Sequence, residues 1–202
     1  MSFSFFPKTV YQTQSKISGE IKVKEHLSQY TLQVQNLTQS GGIIKSIWQK
    51  PLKKIIKANQ VLILGLGGGT AVQLIKERFP EVKITTLEID QEIIKIGKKY
   101  FGLDGIKDLK IINAEAIGWV NNYRGDKFDL ILVDLYIGSE FSKEAMNDEF
   151  LKKLKKLLSK NGVIIFNWLK NKSEGRLFEK LEKSFAQIEE VNTPTNLFFF
   201  CY

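Results

Sequence analysis

The chain has 202 residues, 43% of them hydrophobic, and a net charge of +8. That is enough apolar material for one sizeable core and one large domain, with at most a small appendage. A single cysteine, Cys201, excludes an internal disulfide framework, and with one histidine, His26, no His/Cys metal cluster and no metal are expected. No apolar run approaches ~18 residues, so no membrane span is expected. Residues 1–8 have neither the basic start nor the apolar length of a signal peptide, which makes a reducing cytoplasm the expected compartment. Of the 30 basic residues only Arg78, Arg124 and Arg176 are arginine, and the lysines are scattered. Lysine reads phosphates and bases poorly, so a solvated surface is expected and a nucleic-acid role is not.

The first 40 residues differ in texture from the rest. Glu20–Lys24 and Tyr30–Gln35 alternate polar and apolar residues, which predicts a hairpin or small antiparallel sheet. Gly41-Gly42 closes this region, and 43–57 reads as a helix interrupted at Pro51. Val61–Leu64 is a four-residue apolar run, as in a strand buried on both faces. The loop Gly65-Leu66-Gly67-Gly68-Gly69-Thr70 follows, then Ala71, Leu74, Ile75 and Arg78 at helical spacing. Gly65 suits a tight turn. Gly67 and Gly69 allow a ligand and a neighbouring strand to approach the backbone.

A second strand over 82–90 ends in Glu88, Ile89 and Asp90. A helix follows over 91–101, a strand over 109–113, a short helix over 116–123 and a strand over Phe128–Asp134. Residues 135–146 read as a long loop. Asn147 or Asp148 caps a helix through Ser159, which Asn161-Gly162 terminates. Val163–Trp168 is a fifth strand, 173–186 a helix, and 188–191 and 197–201 the last two strands. Only 192–196 separates that final pair, too short for a crossover, so they must be antiparallel. The expected fold is α/β: a Rossmann-like, seven-stranded, mostly parallel sheet with an antiparallel last strand. The expected division is a small N-terminal β region over 1–42 and a catalytic domain over 43–202.

In such sheets ligands bind beyond the carboxyl ends of the strands. Those positions hold Gly65–Gly69, Glu88 with Ile89, Asn113-Ala114-Glu115 and Asp134-Leu135-Tyr136, while the strand bodies are apolar. Glu88 lies 88 − 69 = 19 residues past the last loop glycine, close to the ~20 expected of a ribose-binding carboxylate. Glu115 suits either an adenine amino group or the dipole of the helix it precedes. Asp134 suits a base or amine-binding acid, or a cap on the next loop. Tyr136 suits a substrate pocket or packing on that loop.

These segments resemble the class I S-adenosylmethionine-dependent methyltransferase fold and, more narrowly, the spermidine synthase family, over nearly the whole chain. The resemblance implies that Gln39, Glu88 and Glu115 contact a nucleoside, that Asp134 faces the reacting amine, and that the protein is a homodimer. The candidate cofactor-binding set is therefore Gln39, Gly65, Gly67, Gly68, Gly69, Glu88, Ile89, Ala114, Glu115 and Asp134. Asp134 and Tyr136 are the candidate catalytic residues. The cofactor would be S-adenosylmethionine or its decarboxylated form, and the partner a small-molecule acceptor such as an amine.

Two positions depart from the family. Its aminopropyltransferases carry an Asp where this chain has Gly68, and a second Asp three residues after the strand-four acid, where this chain has Ile137. Loss of the first acid removes a repulsion against the carboxylate of intact S-adenosylmethionine, and a bare helix N-terminus would favour that carboxylate. Methyl transfer to a small acceptor is therefore the leading expectation and aminopropyl transfer the second. Glu140 and Glu144 are the acids available to replace the missing Asp. A nicotinamide-dependent oxidoreductase, a basic nucleic-acid module and a degenerate non-catalytic relative are the other readings.

Overall fold

The computed structural model describes residues 6–170 and 175–202. The start of the helix expected over 173–186 thus lies partly outside the described residues. A seven-stranded sheet has the order β12-β13-β11-β8-β5-β6-β7. Its strands are β5 (Gln60–Leu64), β6 (Lys83–Glu88), β7 (Leu109–Asn113), β8 (Phe128–Val133), β11 (Leu158–Leu169), β12 (Ile188–Asn192) and β13 (Asn196–Cys201). All pairings are parallel except that β13 runs antiparallel to both β11 and β12, as the short 192–196 connection requires.

The continuous apolar runs have a direct structural cause. Successive strand residues point to opposite faces, and both faces are covered. Leu62, Leu64, Ile131, Val133, Ile164 and Phe166 pack towards α4 (Ala116–Asn122), α5 (Asp148–Leu157) and α6 (Gly175–Ser184). Val61, Ile63, Leu130, Leu132, Val163 and Ile165 pack towards α1 (Gly42–Leu52) and α2 (Thr70–Arg78).

Residues 8–40 form an antiparallel sheet of β1 (Lys8–Ser15), β2 (Gly19–His26), β3 (Gln29–Val34) and β4 (Leu37–Ser40). Ile21, Val23, Leu32 and Val34 bury against Ile93 and Ile96 of α3 (Gln91–Phe101). Each is worth about 1.5–3 kcal/mol on full burial, so this seam outweighs any single hydrogen bond at about 1 kcal/mol. The hydrogen bond from the Ser15 hydroxyl to the buried Asp90 carboxylate sets alignment more than strength. Burial alone would raise the pKa of Asp90, but the hydroxyls of Ser15 and Ser18 and the Glu92 amide hold it below the ordinary carboxylate value. His26 is exposed on this sheet.

Three local expectations need amendment. α1 stops at Leu52, one residue after Pro51, instead of reaching Lys57; Pro51 has no N–H to donate back to the Ile47 carbonyl. α5 stops at Leu157, and β11 begins at Leu158, which pairs with Phe128 before the register slips to Val163 and Leu130. The Ser159 hydroxyl donates to Asp129 there, holding as strand a segment that sequence alone extends as helix. The 135–146 loop contains a tight hairpin, β9 (Tyr136–Ile137) with β10 (Glu140–Phe141), turned at Gly138 with φ +60°.

Candidate active site

A cleft of about 600 Å3 opens at the carboxyl ends of β5, β6, β7 and β8, roofed by the N-terminal sheet and the β9–β10 hairpin. Gln39, Gly65, Gly67, Glu88, Ile89, Ala114, Glu115, Asp134 and Tyr136 all line it. Gly68 and Gly69 sit behind its wall, both buried.

Glu88 organises the glycine loop. One carboxylate oxygen accepts from the Leu66 amide (3.2 Å) and the other from the Asp90 amide (3.0 Å). Burial pushes its pKa up, and these backbone donors pull the other way. With three backbone amides on a group that can accept about four hydrogen bonds, the carboxylate keeps acceptor capacity for a ligand hydroxyl. Asn113 donates to the carbonyls of Glu88 and Ile89, at 2.8 and 2.9 Å, and locks this strand end.

The loop glycines have distinct reasons. Gly65 has φ +96°, and a Cβ there would lie 2.2 Å from the Asp134 carbonyl oxygen. Gly65→Ala is therefore expected to cost about 2–4 kcal/mol, from overlap and a left-handed backbone that L residues avoid. A urea midpoint near that of wild type would contradict this. Gly69, at φ +88°, makes room for Leu103 in the turn after α3 rather than for a strand.

Gly68 is occupied from outside. The buried Ser40 hydroxyl accepts from the Gly68 amide at 2.7 Å and donates to the Gln39 carbonyl at 2.7 Å. A Cβ on Gly68 would meet Ser40 Cβ at 2.7 Å. The missing acid at this position is thus answered by a serine from β4. Its hydroxyl occupies an amide that a bare helix N-terminus would offer to an anion, and the Gly69 amide is likewise spent on the Leu66 carbonyl.

Asp134, half-buried at the end of β8, accepts from Asn167 Nδ2 at 2.8 Å. Burial, helped by the charge of Glu88 and opposed by that hydrogen bond, pushes its pKa up to about 6. Such a group is a carboxylate at neutral pH yet basic enough to take a proton. The Tyr136 hydroxyl donates to the Asn167 carbonyl at 3.2 Å and accepts from the Leu169 amide at 2.9 Å. Burial drives its pKa further up, and its ring packs edge-on against Phe141. Glu115 caps α4, accepting from the Ile117 and Gly118 amides at 2.7 and 2.6 Å. Gln39 reaches across to the Gly138 carbonyl at 3.4 Å, linking β4 to the hairpin.

Ser40 and Asn167 escaped the sequence reading. Asn167 left one signal, a lone amide inside the apolar run Val163–Trp168; Ser40 left none, since its contact spans 28 positions. Glu140 and Glu144, proposed only as substitutes, both reach the lining. Among the described residues no cluster of His, Cys, Asp and Glu is placed to hold a metal, and no helix is long and apolar enough to cross a membrane.

A glycine loop between β5 and α2, an acid at the end of β6 and a second at the end of β8 define a Rossmann-like fold of the class I methyltransferase type, here with an N-terminal antiparallel sheet. The Spermine/spermidine synthase domain profile matches residues 44–200, so the chain belongs to the spermine/spermidine synthase family. A polyamine aminopropyltransferase of Prochlorococcus marinus (strain MIT 9312) is 38% identical over 120 residues, covering 56% of this chain and 42% of that protein. One from Vibrio vulnificus (strain CMCP6) is 32% identical over 113 residues, covering 55% and 38%. The chain thus spans about two fifths of the length of these relatives. A spermidine synthase solved with the transition-state analogue AdoDATO superposes with a TM-score of 0.79 at 18% identity, over 96% of this chain and 73% of that one.

These findings overturn methyl transfer as the leading expectation: the matching family and relatives are aminopropyltransferases. The physical reason is that Gly68 is not an open anion site, because Ser40 fills it.

Proposed function

We propose that this chain moves the aminopropyl group of decarboxylated S-adenosylmethionine to a small amine acceptor. The observation that carries the reading is the charge of the cleft. Among the described residues Glu88, Glu115, Asp134, Glu140 and Glu144 line it against the single ammonium of Lys143, in a chain of net charge +8. An acid excess concentrated on one concave surface favours ligands with several positive charges and disfavours a free carboxylate.

The bound nucleoside supplies a sulfonium-activated aminopropyl carbon. Glu88 holds the ribose hydroxyls, and Glu115, with lone pairs beyond its two cap bonds, meets the adenine amino group. Gln39, Ile89 and Ala114 border the nucleoside, and Gly65 and Gly67 let it approach the loop backbone, while Gly68 and Gly69, buried behind the wall, hold the loop's shape. Asp134 orients the acceptor nitrogen and takes its proton. As the N–C bond forms, the C–S bond breaks, its electron pair passes to sulfur, and the released nucleoside is a neutral thioether. Tyr136 shapes the acceptor end of the cleft. Positioning supplies much of the barrier reduction, since the carbon is already activated. Within the N-terminal region proposed over 1–42, the sheet of β1–β4 serves as the roof, and the region over 43–202 is the proposed catalytic unit. A homodimer and a cytoplasmic location are part of the same reading.

The test is chromatographic. The protein is incubated with putrescine or spermidine and either decarboxylated or intact S-adenosylmethionine. Methylthioadenosine released only with the decarboxylated form is the expected result. Formation of S-adenosylhomocysteine, or no turnover with either, overturns the proposal.

A further inference from the structure

We propose that Asn196, acting through Asn167, is a positioning residue that keeps Asp134 in its proton-accepting form; this rests on the reading of Asp134 as the group that takes the acceptor's proton. Three hydrogen bonds run in one direction towards the cleft. The Thr195 hydroxyl donates to Asn196 Oδ1 at 2.6 Å, Asn196 Nδ2 donates to Asn167 Oδ1 at 2.7 Å, and Asn167 Nδ2 donates to Asp134 Oδ1 at 2.8 Å. Each amide is held at both ends, so neither can turn over without setting oxygen against oxygen.

The frame of this chain is fixed independently. Tyr136 bridges the Asn167 carbonyl and the Leu169 amide on β11. The Thr193 hydroxyl accepts from the Asn196 amide at 3.0 Å and donates to its carbonyl at 2.9 Å. Asn167 and Asn196 are only 6% and 4% exposed, on strands whose other inward residues are apolar. A buried amide costs free energy unless its bonds are made, and a hydrophobic pair would fill the same space. What the amides add is a donor aimed at the carboxylate, with an orientation set two side chains away.

The charges around Asp134 define what the chain must offset. Glu88, at the end of β6, raises its pKa, as does burial, and Tyr136 lies two residues along. Glu115 at the start of α4, and Glu140, Lys143 and Glu144 beyond β9, share the same cleft. The neighbouring end of β5 contributes only Gly65, and β11 only neutral Asn167.

The experiment compares wild type with Asn196→Leu, Asn196→Asp and Thr195→Val. Two quantities are read: the acid limb of kcat/KM against pH, and the Asp134 carboxylate titration by carbon NMR in the ligand-free protein. Weakening a hydrogen bond to a charged acceptor should move both midpoints upward by about half to one pH unit in Asn196→Leu. Thr195→Val, at an exposed position, should give a smaller shift in the same direction. Asn196→Asp should give the largest, because its carboxylate turns the Asn167 amide away from Asp134. Lower kcat with unmoved midpoints marks a merely structural role and overturns the inference. If Asn196→Leu does not fold, Thr195→Val and Asn196→Asp decide. Absence of turnover in wild type defeats the transferase reading, and the NMR midpoints then still show whether the chain controls the carboxyl.

Discussion

Asp134→Asn is expected to lower aminopropyl transfer by about a hundredfold to ten-thousandfold, the usual contribution of a positioned general base. Wild-type kcat/KM should fall as pH drops through about 6, where burial has moved this carboxyl, and the variant's residual rate should lack that limb. Stability should move the other way. A carboxyl whose folded pKa is raised stabilises the fold fully below its unfolded value near 3.9, and that stability is lost as pH rises through the folded value. The variant, carrying no buried charge, should therefore exceed wild type by about 1–3 kcal/mol at pH 8 and match it near pH 4. Thermal melts at the two pH values measure this. A variant that is inactive and also less stable at pH 8 would mean that the carboxylate is a structural anchor.

Glu88→Ala has the second largest expected effect. It would remove the proposed acceptor for the ribose hydroxyls and also release the Leu66 and Asp90 amides. Hydrogen bonds to a charged group are worth about 1.5–3 kcal/mol each, so affinity for the nucleoside should fall by about a hundredfold or more. Titration calorimetry with methylthioadenosine reads this directly, and Glu88→Gln, which retains an acceptor oxygen, should lose less. Because the pKa of Glu88 is raised by burial, wild-type affinity should also weaken as the medium becomes acidic. An unchanged affinity in Glu88→Ala would remove Glu88 from the ribose site.

The placement of both residues at the cleft was legible in the sequence. Glu88 and Asp134 end apolar runs, and in a doubly covered parallel sheet the strand bodies must be apolar while the carboxyl ends open to ligand. That constraint is local and periodic, so the strand at 61–64, its loop, the helix after it and the acids could be placed by spacing. The antiparallel β13 followed equally from the length of one connection. The N-terminal alternation announced β2 and β3, although its meaning as a roof depended on Ile21, Val23, Leu32 and Val34 meeting Ile93 and Ile96 of α3, 59 to 75 residues away.

The tertiary structure decided what fills each space. Whether Gly68 is an open anion site or a socket for Ser40 turns on a contact between β4 and the glycine loop that no periodicity encodes. The same holds for the proton-accepting character of Asp134. A carboxylate in a sequence has its ordinary pKa. Burial, the charge of Glu88 and the Asn167 donor shift it, and these arrive from β6 and β11 only when the sheet assembles. Chain chemistry alone thus determined the fold and the strand ends where chemistry could occur. Long-range packing determined the charge balance of the cleft, because electrostatic free energies depend on distance and desolvation rather than on order along the chain.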